Sequence, residues 1–166
     1  MENMKLNNNL ECPMLGLGTF MLSPEDAYTS TLEALKMGYS LIDTANAYVN
    51  ERAVGRAIKD SGIDRKNIFL STKIWASEYE NENTVEETLE RLGVDYVDLL
   101  YIHQPAGNWL ADTECLKKRI ERAKQNPLVS RILKENIWKS WKQSGKLYLS
   151  LFRWKHIHIS HRKNFV

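Results

Sequence analysis

Cysteine is scarce in this 166-residue chain, and no long apolar run is present. Two cysteines, Cys12 and Cys115, are too few for a disulfide scaffold. The first ten residues, MENMKLNNNL, lack the apolar stretch of a signal peptide. With 43% hydrophobic and 27% charged residues, the composition is typical of one soluble globular domain. These features exclude collagen-like, membrane-embedded and disulfide-rich proteins, and we expect a reducing, cytoplasmic location.

The net charge of +2 conceals two segments of opposite charge. Residues 1–111 carry 9 basic and 17 acidic side chains, whereas residues 112–166 carry 14 and 4. Seven of the eight glycines precede Gly145, and three of the five tryptophans follow position 137. We therefore expect a domain boundary near residue 111, between segments of different origin.

The first segment alternates predicted strands and helices with a period of about 30 residues, which is typical of a parallel sheet with crossover helices. Predicted strands cover residues 39–42, 68–72 and 96–102. Ser23 before Pro24 predicts a helix start, a second helix begins near Asn50, and a third ends at Gly93. The fold class is therefore α/β.

Three polar residues lie at the ends of predicted strands. Asp43, Lys73 and His103 are separated by 30 residues each, which puts them at the same end of neighbouring strands. In β/α barrels the catalytic groups sit at the carboxyl ends of the strands, so this spacing favours a shared site. For any one of them alone, the more common explanation is a polar residue that simply ends a strand.

Tyr48 follows Asp43 by five residues, in the loop that enters the second helix. A phenol ordinarily loses its proton only near about pH 10, and a nearby ammonium such as Lys73 would favour its ionised form. Asp43 would keep that lysine charged and oriented, and His103 would polarise a carbonyl oxygen. This combination suits carbonyl reduction, in which oxygen takes a proton as carbon takes a hydride. No metal-ligand spacing is present, so a nicotinamide is the simpler hydride source.

At these residues the sequence resembles the aldo-keto reductase family, whose fold is an eight-stranded β/α barrel. The resemblance covers residues from about 5 to 111. It is carried by GYSLIDTA at 38–45 with Tyr48, Asn50-Glu51 and Val54-Gly55, by STKIW at 71–75, by LYIHQP at 100–105 and by GLGTF at 16–20. It implies a partial (β/α)8 TIM barrel containing about the first four β/α units.

The resemblance also implies the roles of individual residues. Asp43, Tyr48, Lys73 and His103 form a catalytic tetrad with Tyr48 as general acid. The NADPH nicotinamide is bordered by Gly18, Thr19 and Phe20, together with Asp43, and no metal is required. The carbonyl substrate meets Phe20, Tyr48, Trp75, His103 and Trp109. For Trp75 and Trp109, ordinary packing is an equally good explanation.

The resemblance ends at about Ala111, where a fourth helix, a fifth strand and a Ser-Asn-Phe turn should follow. A family-like segment Ala-Gly-Tyr-Arg-Met-Leu-Glu can be encoded so that deletion of one G shifts the reading frame. The shifted codons then encode residues 111–116 of this chain. The same displaced frame permits the missing turn across residues 122–134 and a further family-like segment across 152–165. We therefore interpret residues 112–166 as an out-of-frame tail.

Two other interpretations of the tail stay open. It could be a true basic extension that binds nucleic acid through its charge and tryptophans, or it could be a different domain. Nucleic-acid binding is the weaker hypothesis because the basic residues form no recognisable motif or helical face.

The predicted half barrel has consequences for function. An open sheet leaves two unpaired edges, which predicts marginal stability and self-association through those edges or through residues 147–152. In the family, loops of the second half hold most of NADPH. We therefore expect this chain to be weakly active or inactive, or a nonfunctional gene product.

Overall fold

A short antiparallel hairpin precedes the main sheet in the computed structural model, which describes residues 2–6, 11–104 and 118. Strand β1 (Asn3–Lys5) pairs with β2 (Glu11–Pro13). The sequence does not predict this hairpin, because three-residue strands are too short to show an alternating pattern.

Four parallel strands form the main sheet, in the order of the sequence. They are β3 (Gly16–Gly18), β4 (Leu41–Asp43), β5 (Phe69–Ile74) and β6 (Leu99–Ile102). The register aligns the end of each strand with its neighbour, so that Gly18 lies opposite Asp43. Consecutive parallel strands with connecting helices are the arrangement with which a β/α barrel begins.

Three helices connect the strands, and their ends follow the predicted signals. Helix α1 (Pro24–Lys36) begins after Ser23, whose hydroxyl accepts a hydrogen bond from the Asp26 amide at 3.1 Å. Helix α2 (Glu51–Asp60) begins directly after Asn50. Helix α3 (Thr84–Leu92) ends at Gly93, which has a φ of 63°. Glycine suits this left-handed position because it has no Cβ to clash.

The hydrophobic core lies between the sheet and these helices. The buried faces of α1, α2 and α3 pack against side chains of β4 and β5. The buried set includes Leu35, Ile42, Val54, Ile58, Leu70, Val85, Leu89 and Leu92. Burial of these side chains supplies most of the favourable free energy of this fold.

The observed strands begin and end at different residues from the predicted ones. Tyr39 does not belong to a strand, because its amide bonds the Ala34 carbonyl at 2.9 Å as part of the end of α1. Strand β6 begins at Leu99 rather than at position 96, because Arg65 binds the Tyr96 carbonyl at 2.8 Å and the Asp98 carboxylate at 2.9 Å. Strand β5 runs two residues further than predicted, to Ile74.

Predictions for the tail fall outside the described residues. Of residues 112–166 the structure describes Lys118 alone. The out-of-frame interpretation, the basic extension and the segment at 147–152 therefore stay predictions.

Gly55 marks the closest approach of helices α2 and α3. A Cβ added at this position would overlap the Leu92 carbonyl of α3, whereas one added at Gly18 would meet nothing within 4 Å. We expect Gly55→Ala to lower the free energy of unfolding by about 1–3 kcal/mol through overpacking. Urea unfolding measures the loss, with Gly18→Ala as the matched control. Equal stabilities of the two variants would contradict the close approach.

Candidate active site

The Lys73 ammonium lies at the centre of the candidate active site. Its Nζ donates to Asp43 Oδ2 at 2.6 Å, to the Thr44 carbonyl at 2.8 Å and to Tyr48 Oη at 3.4 Å. These contacts use all three donors of the ammonium. Three of the four residues predicted as the tetrad therefore meet at one point, at the carboxyl ends of β4 and β5.

The Asp43 carboxylate is held on both oxygens. Ser71 Oγ donates to Asp43 Oδ1 at 2.6 Å, while Lys73 occupies Oδ2. The ion pair is partly buried, with 17% of the Lys73 side chain and 30% of the Asp43 side chain exposed. Hydrogen bonds to a carboxylate restrict its orientation, and they thereby restrict the lysine that it binds.

The His103 ring contacts the Tyr48 ring, with the two centroids 5.6 Å apart. Its backbone amide donates to the Ile74 carbonyl at 2.9 Å, which extends the β5–β6 ladder to the site. Burial lowers the pKa of the His103 imidazole, and the positive charge of Lys73 lowers it further, although Asp43 opposes this. A neutral imidazole keeps one N–H donor for an oxygen atom.

Four rings form a continuous arc beside the ion pair, which we call the aromatic arc: Phe20, Tyr48, His103 and Trp75. The ring centroids of Phe20 and Tyr48 lie 5.0 Å apart, those of Tyr48 and His103 5.6 Å, and those of His103 and Trp75 4.8 Å. Phe20 is 52% exposed and Trp75 is 36% exposed. The two ends of the arc therefore present apolar surface to a ligand.

The predicted cofactor residues lie beside Asp43. Gly18 is exposed, and its register partner is Asp43. Thr19 is fully buried, and its amide donates to the Asp43 carbonyl at 2.9 Å. Trp109, the remaining residue predicted for the substrate pocket, lies outside the described residues.

Several side chains that support the site are not among the residues predicted from the sequence. Ser71, which holds Asp43, lies two residues before Lys73 on β5, so the two-residue period of a strand could have identified it. Asn46 Oδ1 accepts from the Trp75 amide at 2.9 Å, and the Asn50 side chain bonds the loop after β3. No local pattern indicates these last two contacts, because they depend on how the loops meet.

The described residues contain neither a group of metal-ligating side chains nor a helix suited to cross a membrane. Within residues 2–6, 11–104 and 118, no three His, Cys, Asp or Glu side chains are grouped so that they could hold a metal ion. No helix in the same part of the chain has the length and apolar character needed to cross a membrane.

Comparison with known proteins decides the family. The model of the aldo/keto reductase family matches residues 14–145. The chain belongs to the aldo/keto reductase family. This aldo/keto reductase match confirms the resemblance carried by the motifs around Asp43, Lys73 and His103.

Named relatives of this aldo/keto reductase chain include several oxidoreductases. It is 49% identical to glycerol 2-dehydrogenase (NADP(+)) of Saccharomyces cerevisiae over 104 residues. The aligned region covers 62% of this chain and 33% of that protein. It is 43% identical to morphine 6-dehydrogenase of Pseudomonas putida over 115 residues. The aligned region covers 68% of this chain and 39% of that protein. The chain therefore spans about a third of the length of the curated relatives it matches.

Solved structures of the family share the fold. An aldo-keto reductase from a Medee basin deep-sea metagenome library aligns with a TM-score of 0.68 and 42% identity, over 79% of this chain and 48% of that chain. An aldo/keto reductase from Brucella melitensis aligns with a TM-score of 0.70 and 37% identity, over 87% and 59%. The predicted partial β/α barrel is confirmed. The family model extends to residue 145, so the predicted boundary at residue 111 stays a prediction.

The lowered pKa of His103 predicts a pH dependence of stability. Below about pH 6.5 the unfolded chain binds a proton at His103 that the folded chain resists, so stability falls as the pH drops through this range. We expect His103→Gln to reduce this loss. Urea unfolding near pH 7.5 and near pH 5.5 measures it. An equal loss in both proteins would contradict the lowered pKa.

Proposed function

We propose that the chain carries the proton-transfer machinery of an NADPH-dependent reductase that converts aldehydes and ketones to alcohols. The observation that carries this proposal is the contact of one ammonium, Lys73, with both Asp43 and the hydroxyl of Tyr48. The named relatives are consistent with it, since they include an aldehyde reductase of Saccharomyces cerevisiae as well as the NADP(+)-dependent glycerol dehydrogenase.

Tyr48 is the proposed proton donor. As the carbonyl carbon accepts a hydride, the oxygen gains negative charge and takes the proton from Tyr48 Oη. The phenolate left behind lies beside the Lys73 ammonium, which stabilises it electrostatically. Asp43 binds the ammonium and orients it toward Tyr48. His103, held neutral by burial, donates its N–H to the same carbonyl oxygen.

The residues beside Asp43 fit the nicotinamide end of NADPH, which supplies the hydride when bound. Gly18 is exposed and has open space where a side chain would be, and Phe20 offers an exposed ring. A planar ring could therefore approach the end of β3 without meeting a side chain at Gly18. We propose that Gly18, Thr19, Phe20 and Asp43 border the nicotinamide.

The exposed ends of the aromatic arc are the proposed substrate walls. Phe20 and Trp75 flank Tyr48 and His103, so a carbonyl group that reaches Tyr48 lies between apolar surfaces. Trp109 is kept as a proposed third wall on the sequence alone. Apolar walls with few polar groups at their base are typical of small-molecule sites.

The remaining sequence predictions are part of the proposal. We propose a cytoplasmic reductase whose partner is a small carbonyl compound, with self-association through strand edges. We expect its turnover to be slow or absent, because the family holds most of NADPH through loops of the second barrel half, and the motifs expected for those loops do not occur in residues 112–166. A nonfunctional gene product and a nucleic-acid-binding tail stay as alternative predictions.

The test is formation of alcohol from a reactive aldehyde and NADPH by the purified chain, measured by mass spectrometry. Tyr48→Phe should reduce the rate by about 10²–10⁴-fold, because it removes the proposed general acid. Tyr28→Phe is the matched control, since Tyr28 Oη bonds Asp60 at 2.9 Å on the surface of α1. Alcohol formed equally fast by Tyr48→Phe would contradict the proposal, whereas no alcohol from either protein would favour the alternative of a nonfunctional gene product.

A further inference from the structure

We propose that Asn50 is a positioning residue that holds Phe20 against Tyr48, and thereby sets the affinity for carbonyl substrates that carry an aromatic ring. The inference rests on the proposed function, because it assigns Phe20 to the substrate wall. Asn50 is 1% exposed and lies between the Tyr48 loop and helix α2.

The Asn50 side chain is not used to cap its own helix. Asparagine at the N-cap position of a helix ordinarily accepts a hydrogen bond from a backbone amide of the first turn, but Asn50 makes no such bond. Its amide group instead donates from Nδ2 to the Thr19 carbonyl at 2.9 Å and to the Leu22 carbonyl at 3.0 Å. Both donors are therefore committed to the loop between β3 and α1.

Two hydroxyls hold the other end of the amide. Thr44 Oγ1 lies 3.2 Å from Asn50 Oδ1 and Thr19 Oγ1 lies 3.4 Å from it, and the two hydroxyls are 2.9 Å apart. Thr19 and Thr44 are fully buried. A buried amide with partners on both its nitrogen and its oxygen keeps one orientation, because any rotation would leave polar atoms unpaired.

The two carbonyls that Asn50 binds lie on either side of Phe20 and Met21. Met21 has a φ of 60°, a left-handed conformation that is unfavourable for a residue with a side chain. The exposed fractions of Phe20 and Met21 are 52% and 82%, so burial does little to hold them. The Leu22 amide closes this turn by donating to the Thr19 carbonyl at 3.2 Å, and the hydrogen bonds from Asn50 to Thr19 and Leu22 tie the closed turn to the start of α2.

Asn50 also connects the turn at residues 19–22 to the loop that carries Tyr48. Asn50 follows Tyr48 by two residues, and the intervening Val49 has a φ of 58° that turns the chain into α2. The Phe20 and Tyr48 rings meet at 5.0 Å across this connection. The Lys73 contacts with Asp43 and Tyr48 do not include the Asn50 side chain. Loss of the Asn50 amide should therefore loosen the Phe20 wall and leave the proton donor in place.

Amide hydrogen exchange of the ligand-free chain tests the anchorage. Asn50→Asp keeps the size of the side chain and removes both donors, and Asn50→Ser is a second variant in case the buried carboxylate prevents folding. We expect peptides covering residues 19–22 to exchange at least about tenfold faster in either variant, with β5 peptides unchanged. Asn67→Asp, at an exposed position before β5, is the matched control. Unchanged exchange at residues 19–22 in a folded variant would overturn the proposal.

Kinetics separate positioning from a general structural role. For Asn50→Ser we expect the KM for benzaldehyde to rise at least about fivefold, while kcat and the KM for propanal stay within about twofold of wild type. A merely structural role would lower kcat for both aldehydes. Equal changes for the two substrates would overturn the proposal. The exchange measurement needs no turnover. It therefore tests whether Asn50 holds residues 19–22 even if the Tyr48→Phe variant contradicts the proposed reaction.

Discussion

The hydrogen bonds of the Lys73 ammonium determine the arrangement of the whole site. One nitrogen atom joins the end of β4 through Asp43 and Thr44, the strand β5 on which Lys73 lies, and the loop that carries Tyr48. A partly buried ammonium without these partners would be strongly unfavourable, because its charge would have lost part of its hydration without compensation. The same contacts that satisfy the lysine therefore assemble the proposed proton donor.

The loop around Tyr48 is tied to three other parts of the fold by polar side chains. Asn46 accepts a hydrogen bond from the Trp75 amide, directly after β5. Asn50 donates to two carbonyls of the loop after β3. Glu51 binds Thr72 on β5 at 3.0 Å and Arg91 on α3 at 2.7 Å. Burial raises the pKa of the Glu51 carboxyl, and the bonds to Arg91 and Thr72 oppose that rise. The Asn46 and Glu51 contacts thus hold the Tyr48 loop on both sides of Tyr48, which favours one geometry for proton transfer, whereas the Asn50 side chain holds the loop after β3.

The sequence predicts the centre of this site better than its surroundings. Asp43, Lys73 and His103 were identified because parallel strands repeat at nearly constant intervals, and Ser23 and Gly93 were identified because helix ends have local chemical requirements. Asn50 could not be assigned a role in advance, since its partners lie 28 and 31 residues away. The start of β6 was misplaced for the same reason, because Arg65 binds Tyr96 and Asp98 from a distant turn.

The central claim is that Tyr48 and Lys73 act as one unit, and a double-mutant cycle tests it most directly. Alcohol formation would be compared for Lys73→Met, Tyr48→Phe and the double variant, with Lys66→Met as the control for loss of a lysine that pairs with Asp64 on the surface. Residues that act as a unit show strongly non-additive losses. The account predicts that the double variant is no slower than the slower single variant. Losses that multiply would contradict it.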